Sequence, residues 1–205
     1  MRVIISLKNT SLKKLNKTMQ ELNRCNWCNS SALYQKYHDD EWGVPVYDDA
    51  TLFEFLLLET FQAGLSWITI LNKRENFRKA FDDFDYQKIA HYPDKKIQEL
   101  LLDTGIIRNK LKIYSAVINA QNFIKIQEEF GSFSNYIWAF VGNTPIDNKP
   151  KAMKDVPATS PISDTISKEL KKRGFKFVGS TVMYAHMQAT GMINDHVEHC
   201  WKRKS

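Results

Sequence analysis

Long uncharged apolar runs are missing from this chain: no stretch among its 205 residues approaches the roughly 18 that a membrane-spanning helix requires. The opening residues, MRVIISLKNTS, have neither the apolar core nor the cleavage site of a secretory leader, so the expectation is a cytoplasmic protein with no membrane partner. Cysteine is scarce. Three residues, an odd number, argue against a disulfide framework and leave thiols for a metal or for burial. Strand-type alternation, internal repeats and low-complexity tracts are also lacking, which leaves helical periodicity as the organising pattern. Excess charge is nearly absent from the body of the chain. Of the net +6, five charges come from Arg2, Lys8, Lys13, Lys14 and Lys17, ahead of any acidic residue, so residues 19–205 carry only +1. A nucleic-acid partner must therefore be argued from local patches rather than from bulk charge.

What is present is 43% hydrophobic and 12% aromatic, a globular composition of a length that can bury a sizeable core. The pattern predicts an all-α fold. Asp48 or Asp49 caps a helix running to about Phe61, and Gly64 breaks it; a second helix follows near Leu65 to Phe81. Asp85 caps a short helix, and Pro93 opens one reaching Leu102. "TGII", a turn of about four residues, leads into a long helix from about Arg108 to Glu129, and Ser132 or Ser134 opens another to about Val141. Residues 142–162 hold four of the six prolines and read as a loop, long for a compact domain. Helices resume near Ser163 to Arg173, closed by Gly174, and near Val178 to Thr190, closed by Gly191.

Three local features carry chemistry. Along the helix leading into "LLLETFQAGLSW" Leu52, Leu56, Glu59 and Ala63 share one helical stripe, which places a carboxylate in apolar surroundings. An unpaired buried carboxylate costs several kcal/mol. Glu59 therefore pairs with a structural Arg or Lys, lies on an exposed sector, or faces a ligand. Second, Cys25, Cys28 and His38 lie near the front while His196, His199 and Cys200 lie at the end. His196 and Cys200, four apart, share a face on a helical turn; with Cys25 and either Cys28 or His38 they make a closed tetrahedral set, which is structural rather than catalytic. Unligated thiols are the alternative. Around these ligands Trp27, Tyr34, Tyr37 and Trp42 can form a slot for a flat heterocycle. Third, "LLLDTGIIRNKLKI" reads as helix, glycine turn and a helix opening with Arg108, Lys110 and Lys112, whose free backbone N–H groups can receive a phosphate. An ordinary αα-corner reads the same way.

Taken together, "YHDDEWGVP", "QAGLSWITIL", "KREN", "GIIRN", "LKKRGFKFVG" and "NDHVEHC", in this order across roughly residues 24 to 200, resemble the 3-methyladenine DNA glycosylase I family of the helix-hairpin-helix glycosylase superfamily. The resemblance implies a monomeric all-helical enzyme acting on double-stranded DNA that contains alkylated bases, flipping out N3-methyladenine and cutting it from its sugar to leave an abasic site. It implies one structural zinc ion on Cys25, His38, His196 and Cys200, with Cys28 and His199 as bystanders. It implies that Glu59 and Tyr37 hydrogen-bond the base and that Trp67 stacks on it. Trp27 and Trp42 line the pocket, Gly64 and Leu65 approach the DNA, and Gly105, Arg108 and Lys110 serve the hairpin. The family commonly has Gly after the glutamate; here it is Thr60. The glycosylase domain is expected over residues 24–205, with residues 1–23 a flexible extension that is either a basic arm or a start-site artefact at Met19. A non-catalytic zinc-stapled DNA-binding module would have no need of Glu59, Tyr37 and Trp67 together, and a zinc hydrolase would need an open ligand position.

Overall fold

A computed structural model describes residues 22–204; residues 1–21, most of the expected extension, lie outside the described residues. The described chain forms ten α-helices: α1 (Ala32–Asp40), α2 (Asp49–Gln62), α3 (Trp67–Leu71), α4 (Arg74–Ala80), α5 (Tyr86–Ile89), α6 (Asp94–Leu102), α7 (Lys110–Phe130), α8 (Phe133–Trp138), α9 (Pro161–Lys172) and α10 (Ser180–Ala189). The one departure from an all-helical pattern is a two-residue parallel pair, β1 (Ile146–Asp147) against β2 (Ile193–Asn194). Among the described residues no helix is long and apolar enough to cross a membrane.

Helix α2 is the axis of the fold. Asp48 caps it by accepting from the Ala50 and Thr51 N–H groups, and Asp49 reaches instead to the Phe133 and Ser134 N–H groups at the start of α8. Every residue from Leu52 to Phe61 is buried, as expected of a helix that packs against α3, α7, α8 and α10 on different sides. Thr60, where the resembled family has glycine, fits because its hydroxyl donates back to the Leu57 carbonyl. At the far end Lys112 of α7 is buried and donates to the Phe61 and Ala63 carbonyls at 2.8 and 2.7 Å, supplying the orphan acceptors of the α2 C-terminus. Lys112 is therefore a helix cap, not part of a solvated basic patch. Burial also depresses its pKa.

Several boundaries differ from expectation. The stretch Leu65 to Phe81 is two helices, broken at Asn72 and Lys73; Lys73 Nζ there donates to the Thr104 and Gly105 carbonyls while Arg74 turns back to Glu41 and Glu54. The connection from α6 to α7 spans residues 103–109 rather than about four, because Asn109, not a residue before Arg108, caps α7. Arg108 lies in that connection and is exposed, as is Lys110 at the first turn of α7. The Gly105 backbone is already engaged: its N–H donates to Asp103 and its carbonyl accepts from Lys73 and Asn76. Helix α1, capped by Ser31, was not anticipated, and its polar sequence explains why.

Early and late segments of the described chain meet at α10. Gly191, at φ +68°, follows it, and a Cβ there would lie 2.4 Å from Pro45 N and Val44 C. That closeness lets Gly43 and Val46 donate to the Gln188 and Thr190 carbonyls, seating "EWGVP" on the end of α10. Gly191→Ala is therefore expected to cost on the order of 3 kcal/mol or more. Gly142→Ala, at φ +64° but in open space, is expected to cost about 1–2 kcal/mol from backbone conformation alone. Equal losses in denaturant titrations of the two variants would show that the Gly191 contact does not hold these segments together.

Candidate active site and metal cluster

A cavity of about 260 Å³ opens beside the middle of α2. One side is made by Trp27, Tyr34, Tyr37, Trp42, Glu59 and Trp67. The rings form a connected set: Trp27 meets Tyr34 edge-on at 4.8 Å and Trp42 at 5.0 Å, and Tyr37 tilts against Trp67 at 5.3 Å. Tyr37 and Trp42 come from α1 and the turn that follows it, Glu59 from α2 and Trp67 from the first turn of α3, where the bend at Gly64 re-aims the chain.

Two glutamates on α2 show what is unusual about this wall. Glu54, 8% exposed, accepts from Arg74 and Arg78 at 2.7 and 2.8 Å, so it is the structural ion pair that such a helix ordinarily needs. Glu59, 3% exposed, accepts nothing at Oε2. Burial pushes its pKa up to about 8. The Trp67 indole N–H, in the same cavity, is also buried without a partner. Buried polar atoms are rarely left so, and two that line one cavity mark a place for a ligand. Tyr37, fully buried, has its hydroxyl pKa raised well above the usual range by burial and then by Glu59, so it remains a donor.

Behind this wall lie Cys25, His38, His196 and Cys200, all buried, with ligand atoms within 4.8 Å of one another. Cys200 Sγ is 3.3 Å from His38 Nε2 and 3.5 Å from His196 Nδ1, and Cys25 Sγ is 3.7 Å from His196 Nδ1. The outer partners set the tautomers. His38 Nδ1 donates to Asp39, itself held by Arg24 and by the Trp201 indole, and His196 Nε2 donates to the Trp42 carbonyl. A hydrogen bond from the Cys25 thiol holds the Cys200 thiol well below its usual range, which favours the thiolate form that a metal ligand takes. The expected helical turn for His196 and Cys200 is absent: residues 195–200 form no helix, and the two side chains converge through a turn in which the Cys200 N–H donates to Val197. Cys28 turns away, its thiol donating to the Cys25 carbonyl, and His199 is exposed. The cluster and the cavity share a wall, since Trp27 packs on His38 at 5.3 Å and Trp42 on His196 at 4.7 Å.

At the cavity's rim the turn through Gly64 and Leu65 is exposed, with Leu65 at 40%. Lys112 ties this turn, through the Ala63 carbonyl, to the first turn of α7, which carries Lys110 and follows the connection that carries Arg108. Another part of the cavity lining was missed by reading the sequence. It consists of Met153, Val156, Pro157 and Ala158 from the long loop and of Thr181, Tyr184, Ala185 and Gln188 on one face of α10. The signal was the proline-rich loop itself, too long for a simple connection.

Comparison with known proteins places this arrangement. The methyladenine glycosylase family profile matches residues 27–203. The DNA-3-methyladenine glycosylase 1 of Escherichia coli is 44% identical over 179 residues, 87% of this chain and 96% of that protein. The DNA-3-methyladenine glycosylase of Haemophilus influenzae is 43% identical over 177 residues, 86% and 96% of the two chains. A crystal structure of a variant 3-methyladenine DNA glycosylase I in complex with 3-methyladenine superposes with a TM-score of 0.86 at 34% identity, covering 89% of this chain and 98% of that one. With nearly all of the described chain matched and relatives this similar along almost their whole length, the chain belongs to the methyladenine glycosylase family.

Proposed function

We propose that the protein is a DNA repair enzyme that excises N3-methyladenine from alkylated double-stranded DNA by hydrolysing the bond between base and sugar. The observation that carries this reading is Glu59, a carboxylate without a partner in an aromatic-walled cavity. N3-methyladenine in DNA is a cation. Its arrival supplies the counter-charge that Glu59 lacks, drawing the carboxyl into its ionised form, while Trp67 offers a face for cation–π stacking worth about 2 kcal/mol when desolvated. Neutral adenine brings no counter-charge and cannot stabilise the ionised carboxylate, so it forgoes the ion-pair gain that favours the methylated base. The similar DNA-3-methyladenine glycosylases, and the related structure in complex with 3-methyladenine, support the same assignment.

The chemistry asks little of an acid catalyst, because departure neutralises the charge on the base. The work is to unstack the nucleotide, at a cost of a few kcal/mol, and to hold it while water adds at the sugar carbon, leaving an abasic site. Gly64 and Leu65 are proposed to enter the space the base vacates. The α6–α7 connection is proposed as a helix-hairpin-helix contact to phosphate, with Gly105 as its turn and Arg108 and Lys110 as its exposed cations. Residues 24–205 would act as one domain and as a monomer.

Zinc is the proposed ion for the cluster. Two thiols and two imidazole nitrogens, with three sulfur–nitrogen separations of 3.3, 3.5 and 3.7 Å and each imidazole's other nitrogen engaged, fit zinc and leave no position for a reacting water. Zinc would supply charge and geometry to staple the chain ends. Because Trp27 and Trp42 rest on His38 and His196, the staple would also hold the aromatic wall.

Purified protein should contain about one zinc per chain, retain it in Cys28→Ser and lose it in His38→Ala; the reverse pattern would show a different ligand set. Methylated DNA should release 3-methyladenine and little 7-methylguanine, and comparable release of both would sink the assignment. Glu59→Gln is expected to lower excision on the order of a hundred-fold, as for loss of one member of a buried charge pair, with DNA affinity nearly unchanged. The same substitution should stabilise the free protein. Since the folded pKa of Glu59, about 8, lies above its ordinary 4.5, its contribution to stability is fully present below about pH 4.5 and is lost as pH rises through about 8. The melting temperature of Glu59→Gln should thus gain on wild type across that window. Parallel melting curves from pH 5 to 9 would contradict it.

A further inference from the structure

The part of the cavity lining supplied by α10 carries a second polar group whose orientation is set. Asp195, 1% exposed, lies behind α10 and accepts three side-chain hydrogen bonds: Tyr184 O–H at 2.8 Å and Gln188 Nε2 at 2.7 Å, both on Oδ2, and Asn148 Nδ2 at 2.8 Å on Oδ1. Tyr184 stays a donor, because burial and its bond to Asp195 hold its hydroxyl well above the usual range. Asn148, in turn, belongs to the segment tied to the C-terminal strand, its N–H donating to the Asn194 carbonyl. A carboxylate oxygen can only accept. The Gln188 amide must therefore point its nitrogen at Asp195, which directs Oε1 the other way. Gln188 borders the cavity, one turn beyond Tyr184 and Ala185 on the same face of α10, and its backbone carbonyl accepts from Gly43 beside Trp42.

We propose that Gln188 Oε1, oriented by Asp195, is a specificity-determining acceptor that reads an exocyclic N–H on the bound base and so selects 6-amino over 6-oxo purines. This rests on the proposed function, in which the cavity holds a methylated purine. A 6-amino group has two N–H donors, one available to Glu59 and the other to a second acceptor in the same cavity lining. A 6-oxo group presents lone pairs there and would meet the amide oxygen without a shared proton. Asp195 acts as a positioning residue: it touches no base, and without it the amide could rotate to offer either group. Ala185, small and beside Gln188, leaves room for the ring edge to reach it.

The test is equilibrium binding of two free bases that differ only at position 6, 3-methyladenine and 3-methylhypoxanthine, followed by quenching of tryptophan fluorescence in the zinc-loaded protein. Wild type is expected to favour 3-methyladenine. Gln188→Leu, and Gln188→Met as a longer apolar replacement should the first variant not fold, are expected to lower that preference about ten-fold, as for loss of one buried hydrogen bond. A preference unchanged in both variants while 3-methyladenine still binds would overturn the role of Gln188 and leave the proposed function standing. Failure of wild type to bind 3-methyladenine at all would overturn both.

Discussion

A carboxylate buried in an apolar wall is costly unless a cation or a set of donors compensates it, and the cations around the helix that carries Glu59 are engaged by other groups. Arg74 and Arg78 converge on Glu54, little more than one turn away, and Arg74 also holds Glu41. Lys112 reaches the end of the same helix but is spent on its carbonyls. Each nearby cation is committed elsewhere by a hydrogen bond of 2.6–2.8 Å, and Glu59 is left alone. The free protein bears that cost, which is recovered when a cationic base enters. Stability and recognition are therefore opposed at this residue.

The aromatic wall and the Cys/His cluster are one construction. His196 is bonded to the Trp42 carbonyl and packed on its ring, Gly43 lies so close that an added Cβ would sit 3.0 Å from His196 Nε2, and Trp27 rests on His38. An ion in the cluster would thus stiffen the cavity as well as the chain ends. This goes further than a staple that affects stability alone, the role that spacing suggested.

The helices that could be read from sequence were those with a side-chain cap and an uninterrupted period. Asp48, Asp85 and Ser132 each accept from backbone N–H groups at the starts of their helices. Boundaries set by tertiary contacts could not be read. The break at Lys73 coincides with a bond to carbonyls more than thirty residues away, and α7 starts at Lys110 rather than Arg108 because the Asn109 side chain caps it. The stripe on α2 located Glu59 correctly among apolar neighbours, but periodicity could not say that Glu54 would take the arginines. The second part of the cavity lining was invisible for a similar reason. Thr181, Ala185 and Gln188 look like ordinary helix residues until the long loop and β2 bring Asp195 and the cavity to them.

The most direct test of the account is the ionisation of Glu59 itself, followed by the carboxyl C=O stretch in infrared difference spectra of wild type against Glu59→Gln. In the free protein the carboxyl should be protonated at neutral pH and titrate near 8. It should be ionised at the same neutral pH once a duplex carrying an uncleavable N3-methyladenine nucleotide is bound. A carboxyl that titrates near its ordinary 4.5 in the free protein, or one that stays protonated in the complex, would contradict the claim that an uncompensated charge site is held ready for a cationic base.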